Sequence, residues 1–410
     1  MSSKVPLTAI LLALLLLSAA NCSAGERIKV MILGNVALIR NLDRFFGGEP
    51  LVSYHAVPAW ESPEIKPSDI PKMIRLYFPR TVQDMESYDA IILTQPDWPV
   101  ISPKQDQWMH DAIRKGAGGL NDASVFSIVS GIAEAWSASL TSRSFPNDAP
   151  AVTAKGAGEA NWMSFKVIVN RDCPEPILTV FLPFGVEDVA CNGVSRMVIH
   201  REGAMVLAWQ AGNFYGIDKV DYLAAWDYEE GRAMTIGDFM GGGWVKYPGD
   251  PQDNQYSPEI MMNIMFWITH RDLIEDVEVF HRIKSNFRNF KSRLAVLVGL
   301  RDFIDKFGAN TARIDEEMMA LEDVYAEASS QYLDQEFVEC ENTLRDGFER
   351  FSEAEEVARK EKNTALLWVY VTEWLVSSST FFISGFVVWT LMVRRKLYRA
   401  TETTRLKREA

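Results

Sequence analysis

The chain has four cysteines and five histidines, and one stretch brings the two types close together. His200-Arg201-Glu202 is its single His-x-Glu, with Cys191 nine residues upstream. A thiol, an imidazole and a carboxylate that orients the ring make a nucleophile–base set, so Cys191, His200 and Glu202 are the candidate catalytic residues. The plainer reading makes His200–Glu202 an exposed turn before Gly203. It leaves Cys191 as a buried thiol or as the disulfide partner of Cys173 in an oxidising compartment. No Gly-x-Cys-x-Gly or Gly-x-Ser-x-Gly elbow occurs in the chain. No Cys-x-x-Cys or His/Cys spacing suits zinc, so neither a metal nor a cofactor is expected. His55, His110, His270 and His281 read as packing or surface residues.

A second candidate is a ligand pocket at Asp238, Gly241, Gly242 and Trp244. These residues end a predicted strand as Asp-x-x-Gly-Gly-x-Trp. Ligands of open α/β sheets settle at the carboxyl ends of strands, and glycines there let backbone approach closely.

The elements that must position these residues follow from local pattern. Arg27–Val36, Leu51–Trp60 and Tyr88–Thr94 are apolar runs bounded by turn residues, as in parallel strands covered on both faces. Ser102-Pro103-Lys104-Gln105 opens a helix with a capping box and proline at the first helical position. The glycine run Gly116–Gly119 ends that helix, and Ser124–Val129 is the next predicted strand. This alternation predicts a doubly wound α/β sheet. A β-rich second half follows, with strands at Phe165–Asn170, Pro176–Phe181, Ser195–His200, Met205–Gln210, Tyr222–Tyr228 and Arg232–Gly237. An apolar helix, Tyr256–His270, closes the domain.

Both ends of the chain are apolar. Lys4 and the 14-residue run Leu7–Ala20 read as a signal peptide cut after Ala24, with a lipoprotein at Cys22 or an uncleaved anchor as alternatives. Trp374–Val393 is 20 residues without a charge, followed by Arg394-Arg395-Lys396. At ~1.5 Å per residue it spans ~30 Å of hydrocarbon, and its basic flank belongs in the cytoplasm. The whole chain carries −13, residues 1–24 carry +1 and the tail 394–410 carries +5, which leaves −19 on the stretch between. Such a surface repels phosphate backbones and argues against nucleic acid as a partner.

Between domain and span lies a predicted helical stalk. Leu273, Val277, Phe280, Ile283, Phe287, Phe290, Leu294, Leu297, Leu300, Ile304 and Phe307 form one seam. Ile314, Met318, Leu321, Tyr325, Ala328 and Tyr332 form another, resumed at Leu344, Phe348 and Phe351. Asp272–Phe307 has a net charge of +1 and Thr311–Lys362 of −10. The expectation is an antiparallel hairpin of two long helices, or else a coiled coil that dimerises the protein. Thr380 and Ser384 offer a second route to self-association within the span.

Four stretches taken together, YDAIILTQPDWPVISPKQDQWMHDAIRKGAGG, CNGVSRMVIHREGAMVLAWQ, YLAAWDYEEGRAMTIGDFMGGGW and SPEIMMNIMFWIT, resemble the class I glutamine-amidotransferase-like family. The resemblance covers about 60% of the chain and implies a flavodoxin-like fold. It also implies a catalytic cysteine on an elbow within residues 120–135, where this chain has neither Cys nor His. Gly243 stands where that family often has a histidine before the final Trp. The expected organisation is a signal peptide (1–24), an amidotransferase-like domain (25–270), a stalk (271–363), a transmembrane helix (366–393) and a cytoplasmic tail (394–410). The expected role is a non-catalytic extracytoplasmic binding or scaffolding module for an unknown ligand or protein. The alternative is an extracytoplasmic hydrolase with an unrecognised site.

Overall fold

The computed structural model describes residues 26–46, 49–63, 65–122, 125, 131–148, 162–188, 191–194, 198–214, 217–238, 254–307 and 310–406. The expected signal segment and the Gly241–Trp244 turn lie outside them. The chain divides into two units, one running through Asn286 and including Ala328–Glu341, the other comprising Phe287–Glu327 and Asn342–Ala410.

In the first unit the order is β1 (Ile28–Gly34), α1 (Val36–Phe46), β2 (Val52–Pro58), α2 (Ile70–Tyr77), α3 (Val82–Glu86), β3 (Ala90–Thr94), α4 (Pro103–Arg114), β4 (Gly118–Asp122) and α5 (Ile132–Ala138). Then come β5 (Asn147–Asp148), β6 (Trp162–Val169), β7 (Cys191–Val194), β8 (Ile199–His200), β9 (Met205–Phe214), β10 (Ile217–Tyr228), β11 (Gly231–Ile236) and α6 (Ser257–Ile268). The main sheet runs β2-β1-β3-β4-β11-β10-β9-β6, with β7 on the β6 edge, and β5 pairs with β8 separately. The first five strands are mutually parallel and the rest antiparallel. With β11 counted as the fifth parallel strand, this is the 2-1-3-4-5 order of flavodoxin-like sheets.

The continuous apolar runs of β1 and β3 are buried on both faces, as parallel strands require. Met31, Leu33, Ile91 and Leu93 pack on one face with Met109 and Ile113 of α4, Trp136 of α5 and Phe145. The cap of α4 forms as its sequence predicts: the Ser102 hydroxyl accepts from the Gln105 amide, and the Ser102 amide donates to Gln105 Oε1 at 3.0 Å. On the other face lies α6, buried from Glu259 to Ile268.

Two strand expectations change. The fourth strand is Gly118–Asp122, which starts inside the glycine run. A Cβ on Gly118 would sit 2.7 Å from the Ile268 carbonyl oxygen, and one on Gly119 3.1 Å from the Phe145 ring. Gly116, at φ +119°, ends the helix as expected, whereas Gly118 and Gly119 let the sheet touch its covering elements. Of the expected strand Ser124–Val129, only Val125 is described, and it is not extended. Pro176–Phe181 likewise is no strand; a 3₁₀ turn, Thr179–Phe184, buries Leu178 and Phe181 instead.

The helical region is α7 (Val277–Lys306), α8 (Ala312–Leu333) and α9 (Phe337–Leu406). The expected second stalk helix is broken at Asp334–Glu336, where Gln335 adopts φ +62° and the Glu336 amide donates back to the Gln331 carbonyl. That is a left-handed helix stop, made without the glycine that would have announced it. The chain reverses there, so α9 runs beside α7 in the same direction and the stalk has three helices rather than a hairpin. Within the first unit Phe280 meets Tyr332 and Phe337. Within the second, Phe290 meets Tyr325 on α8 and Phe351 on α9. The charge contrast seen in the sequence becomes pairing: Arg282–Glu341 at 2.8 Å, Arg293–Glu355 at 2.7 Å and Arg301–Asp315 at 3.0 Å.

A buried ionic group joins the base of these helices to the α/β part of the first unit. Lys284 of α7 lies 2.9 Å from Glu49, which precedes β2. His281 lies 3.2 Å from Glu259 of α6. Both carboxylates are fully buried. Tyr332 of α8 is buried with them, and burial holds its phenol well above its usual pKa.

The last element, α9, is one 70-residue helix. It contains the one described stretch long and apolar enough to cross a membrane, with a mean hydropathy of 1.6 over 18 residues, none of that window buried.

Candidate functional site

In a doubly wound sheet the natural crevice opens where the strand order reverses, here between the carboxyl ends of β1 and β3. In this chain that point is shut. A Cβ on Gly34 would lie 1.7 Å from the Thr94 carbonyl oxygen, so the two strand ends are in direct contact. Asn35 donates to Gln95 Oε1 at 2.7 Å across the gap, and the Asn35 amide donates to the Thr94 carbonyl at 2.8 Å.

Polar side chains gather farther along the same edge. Thr94 Oγ1 donates to Asp122 Oδ2 at 2.8 Å in a buried pair. Asn121 and Thr235 are register partners on β4 and β11, exposed by 0% and 1%. Neither atom of the Asn121 amide, nor the Thr235 hydroxyl, has a hydrogen-bond partner among the described residues. A buried polar group left without a hydrogen bond costs ~1–3 kcal/mol. Asp238, a predicted pocket residue, is fully buried just past the end of β11.

On the adjoining strand β10 stands Asp221. A register irregularity follows it, and Gln210 secures the bend by donating to the carbonyls of Asp221 and Gly237 at 3.0 and 2.8 Å. The Asp221 carboxylate accepts from the His200 amide at 2.6 Å and lies 3.0 Å from His200 Nδ1. Asn147 Nδ2 donates to it at 3.4 Å, while Asn147 Oδ1 is buried without a partner among the described residues. Burial pushes the Asp221 carboxyl above its usual pKa, against the pull of His200 beside it.

The predicted triad does not assemble. His200 is oriented by Asp221, and Glu202 stands exposed in the turn before Gly203. Cys191 is on β7, its backbone opposite Phe165 of β6. With β6 and β9 in between, β7 lies three strand spacings, ~14 Å, from β10, so Cys191 and the Asp221 strand are not neighbours. Cys173 is a free thiol, and the expected Cys173–Cys191 bridge is not formed. Cys173 turns back onto Asn170, five residues beyond Phe165. At ~3.3 Å per strand residue that is ~16 Å from the point where Cys191 pairs, whereas a disulfide needs Cα atoms within ~7 Å.

His110 contacts another hydroxyl, Ser144 Oγ, at 2.8 Å. Ser144 is fully buried beneath Trp226, whose indole donates to its carbonyl. A hydroxyl so enclosed cannot meet a substrate, and burial holds the His110 pKa below its usual value. This pair belongs to the core. An open groove of about 930 Å³ on β6, β9 and β10 is lined by Lys166, Arg171 and Lys219 but also by Asp172, Glu187 and Asp188, so it favours no one ligand charge. No group of three metal-ligating side chains occurs among the described residues.

Sequence reasoning missed Asn121, Asn147, Thr235 and Asp221. Asp221 carried a readable signal, a carboxylate at the head of the apolar strand Tyr222–Trp226. The glycines before Asn121 and Asp122 hide their strand in the sequence.

Fold and site together define an α/β protein whose parallel half presents a buried polar edge, followed by a helical region with one exposed apolar segment. No family model and no curated protein matches the chain. Solved structures do. A cytoplasmic protein from Salmonella typhimurium LT2 is similar at a TM-score of 0.42 and 15% identity, over 58% of this chain and 99% of its own. A second cytoplasmic protein from Salmonella typhimurium gives 0.40 and 12%, over 58% and 98%. A ThuA-like protein from Bacteroides uniformis gives 0.34 and 12%, over 60% and 94%.

Proposed function

We propose that the protein is a membrane-anchored binding module. Its α/β unit takes a small polar ligand at the carboxyl edge of the sheet, and α9 crosses the bilayer within residues 366–393. In this reading residues 1–24 act as an export signal, the α/β unit is extracytoplasmic and the tail 394–410 is cytoplasmic. The observation that carries the anchoring is the exposure of the apolar part of α9. Phe381, Phe382, Phe386, Trp389 and Leu391 are each more than 60% exposed, and each large apolar side chain left in water forgoes ~1.5–3 kcal/mol. Lipid removes that deficit. Carbonate washing of membranes carrying the full chain tests it: retention is expected, and release into the supernatant would overturn it.

Binding rather than turnover is favoured because no cysteine, serine or threonine side chain among the described residues hydrogen-bonds His200. Three buried polar residues, Asn121, Asn147 and Thr235, meanwhile carry atoms that no described residue hydrogen-bonds. One observation favours a second reading, an extracytoplasmic hydrolase. An imidazole that donates from Nδ1 to Asp221 keeps its Nε2 lone pair for use as a general base. Turnover of simple esters or amides by the full chain, abolished by His200→Ala, would establish that reading instead.

A further inference from the structure

The second unit carries an apolar surface that its own packing leaves open. On α7, Val296 is 65% exposed, Phe303 36% and Phe307 43%, although Leu297 and Ile304 between them are buried. Phe303 and Phe307 meet edge to face, 4.8 Å between ring centroids, and so form one apolar tip at the end of α7.

The position of this tip along α9 follows from contacts within the unit. Phe290 packs on Phe351, Arg293 pairs with Glu355, and Lys362 Nζ lies 5.9 Å over the Phe303 ring. The two helices run in the same direction, and the last contact is offset by 59 residues. Phe307 is therefore level with Leu366. Ala365 is still buried at 3%, whereas Leu367, Trp368 and Tyr370 are exposed by 61%, 66% and 60%. The tip thus ends where the exposed apolar face of α9 begins, beside the Trp and Tyr side chains that favour a membrane interface.

We infer that the Phe303–Phe307 tip of α7 is a second membrane contact, resting in the lipid headgroup layer beside the span. This rests on the reading of α9 as a transmembrane helix. The occupant is lipid because the patch continues into the span's own apolar surface at the same level. Lys306 and Lys362 flank it with positive charge suited to phosphate headgroups. Asp302 on the same turn is held by Arg301, and Asp305 faces solvent. From Leu366 to Trp374, where the uncharged run starts, is eight residues, or ~12 Å at ~1.5 Å each. The rings then sit at interfacial depth rather than in hydrocarbon. Two contacts, span and tip, fix the tilt of the helices.

The test is nitroxide depth measurement on the full chain in phosphatidylcholine/phosphatidylglycerol vesicles, in a background with Cys22, Cys173, Cys191 and Cys340 each replaced by serine. Labels go at Phe307→Cys, at Ile383→Cys in the span, and at Met319→Cys, an exposed position on α8 away from the tip. The ratio of oxygen to nickel-chelate collisions is expected to rise from Met319 through Phe307 to Ile383. A Phe307 ratio equal to that of Met319, with Ile383 deep, would sink the tip contact and spare the span. A Phe307 label shielded from both reagents would mean protein covers the tip and would equally overturn the proposal. An Ile383 label as water-accessible as Met319 would remove the span itself.

Discussion

Two buried polar groups in the same unit differ in one respect. At the base of the helices, each buried carboxylate has a basic side chain beside it, Glu49 with Lys284 at 2.9 Å and Glu259 with His281 at 3.2 Å. At the carboxyl edge of the sheet, Asn121, Asn147 and Thr235 carry neutral polar atoms that no described residue meets. A buried charge with a counter-charge beside it keeps its Coulomb partner, and removing either member strands the other. A neutral group buried without a partner costs stability, and folds retain that cost mainly where a ligand removes it. The two sites should therefore respond to substitution with opposite signs.

The largest effect is expected at the base. Lys284→Met leaves Glu49 buried without its cation, and the loss should be ~3–5 kcal/mol, read as a lower denaturation midpoint of the full chain in detergent. A loss below ~1 kcal/mol would erase the contrast between the sites, since exposed pairs are worth that little. The opposite sign is expected at the edge. Asn121→Leu removes an amide that no described residue meets and should be neutral or stabilising by up to ~2 kcal/mol, again read from the denaturation midpoint.

Smaller effects separate the sites by pH. The folded-state pKa of Asp221 is raised by burial. Its contribution is therefore present below the unfolded carboxyl value and declines as pH rises through the folded one. Asp221→Asn should flatten the stability profile on that rise, and an unchanged profile would refute the burial cause. His110 works the other way. Its folded pKa is depressed by burial, so its contribution holds above the unfolded histidine value and is lost as pH falls through the folded one. His110→Gln should remove a small part of the acid-side loss, visible in melting temperature against pH.

Much of the first half of the fold was legible in the sequence. Ile28–Gly34 and Ala90–Thr94 are apolar throughout because parallel strands are covered on both faces, and Ser102 and Gln105 spell their own cap. Legibility failed where tertiary contact decided the outcome. Gly118 and Gly119 read as a turn but are strand residues pressed against Ile268 and Phe145. Gln335 stops a helix in a conformation that glycine would have advertised. Of the candidate residues, Asp238 stands just past the end of β11, where the sequence places it, and His200 meets a carboxylate that no local motif announces. Its carboxylate, Asp221, lies 21 residues away, beyond the reach of a local motif. The charge contrast of the stalk was read correctly, but the third helix hidden inside Thr311–Lys362 was not.

The central claim is that the carboxyl edge of the sheet binds a small polar ligand. An experimental structure of the full chain in a lipid environment tests it most directly, through what lies within hydrogen-bond distance of the Asn121 amide and the Thr235 hydroxyl. A bound small molecule, or ordered water in a pocket open to solvent, is the expected result. Backbone or side-chain groups of the chain itself on all of these atoms, or a nucleophile seated against His200 Nε2, would contradict it.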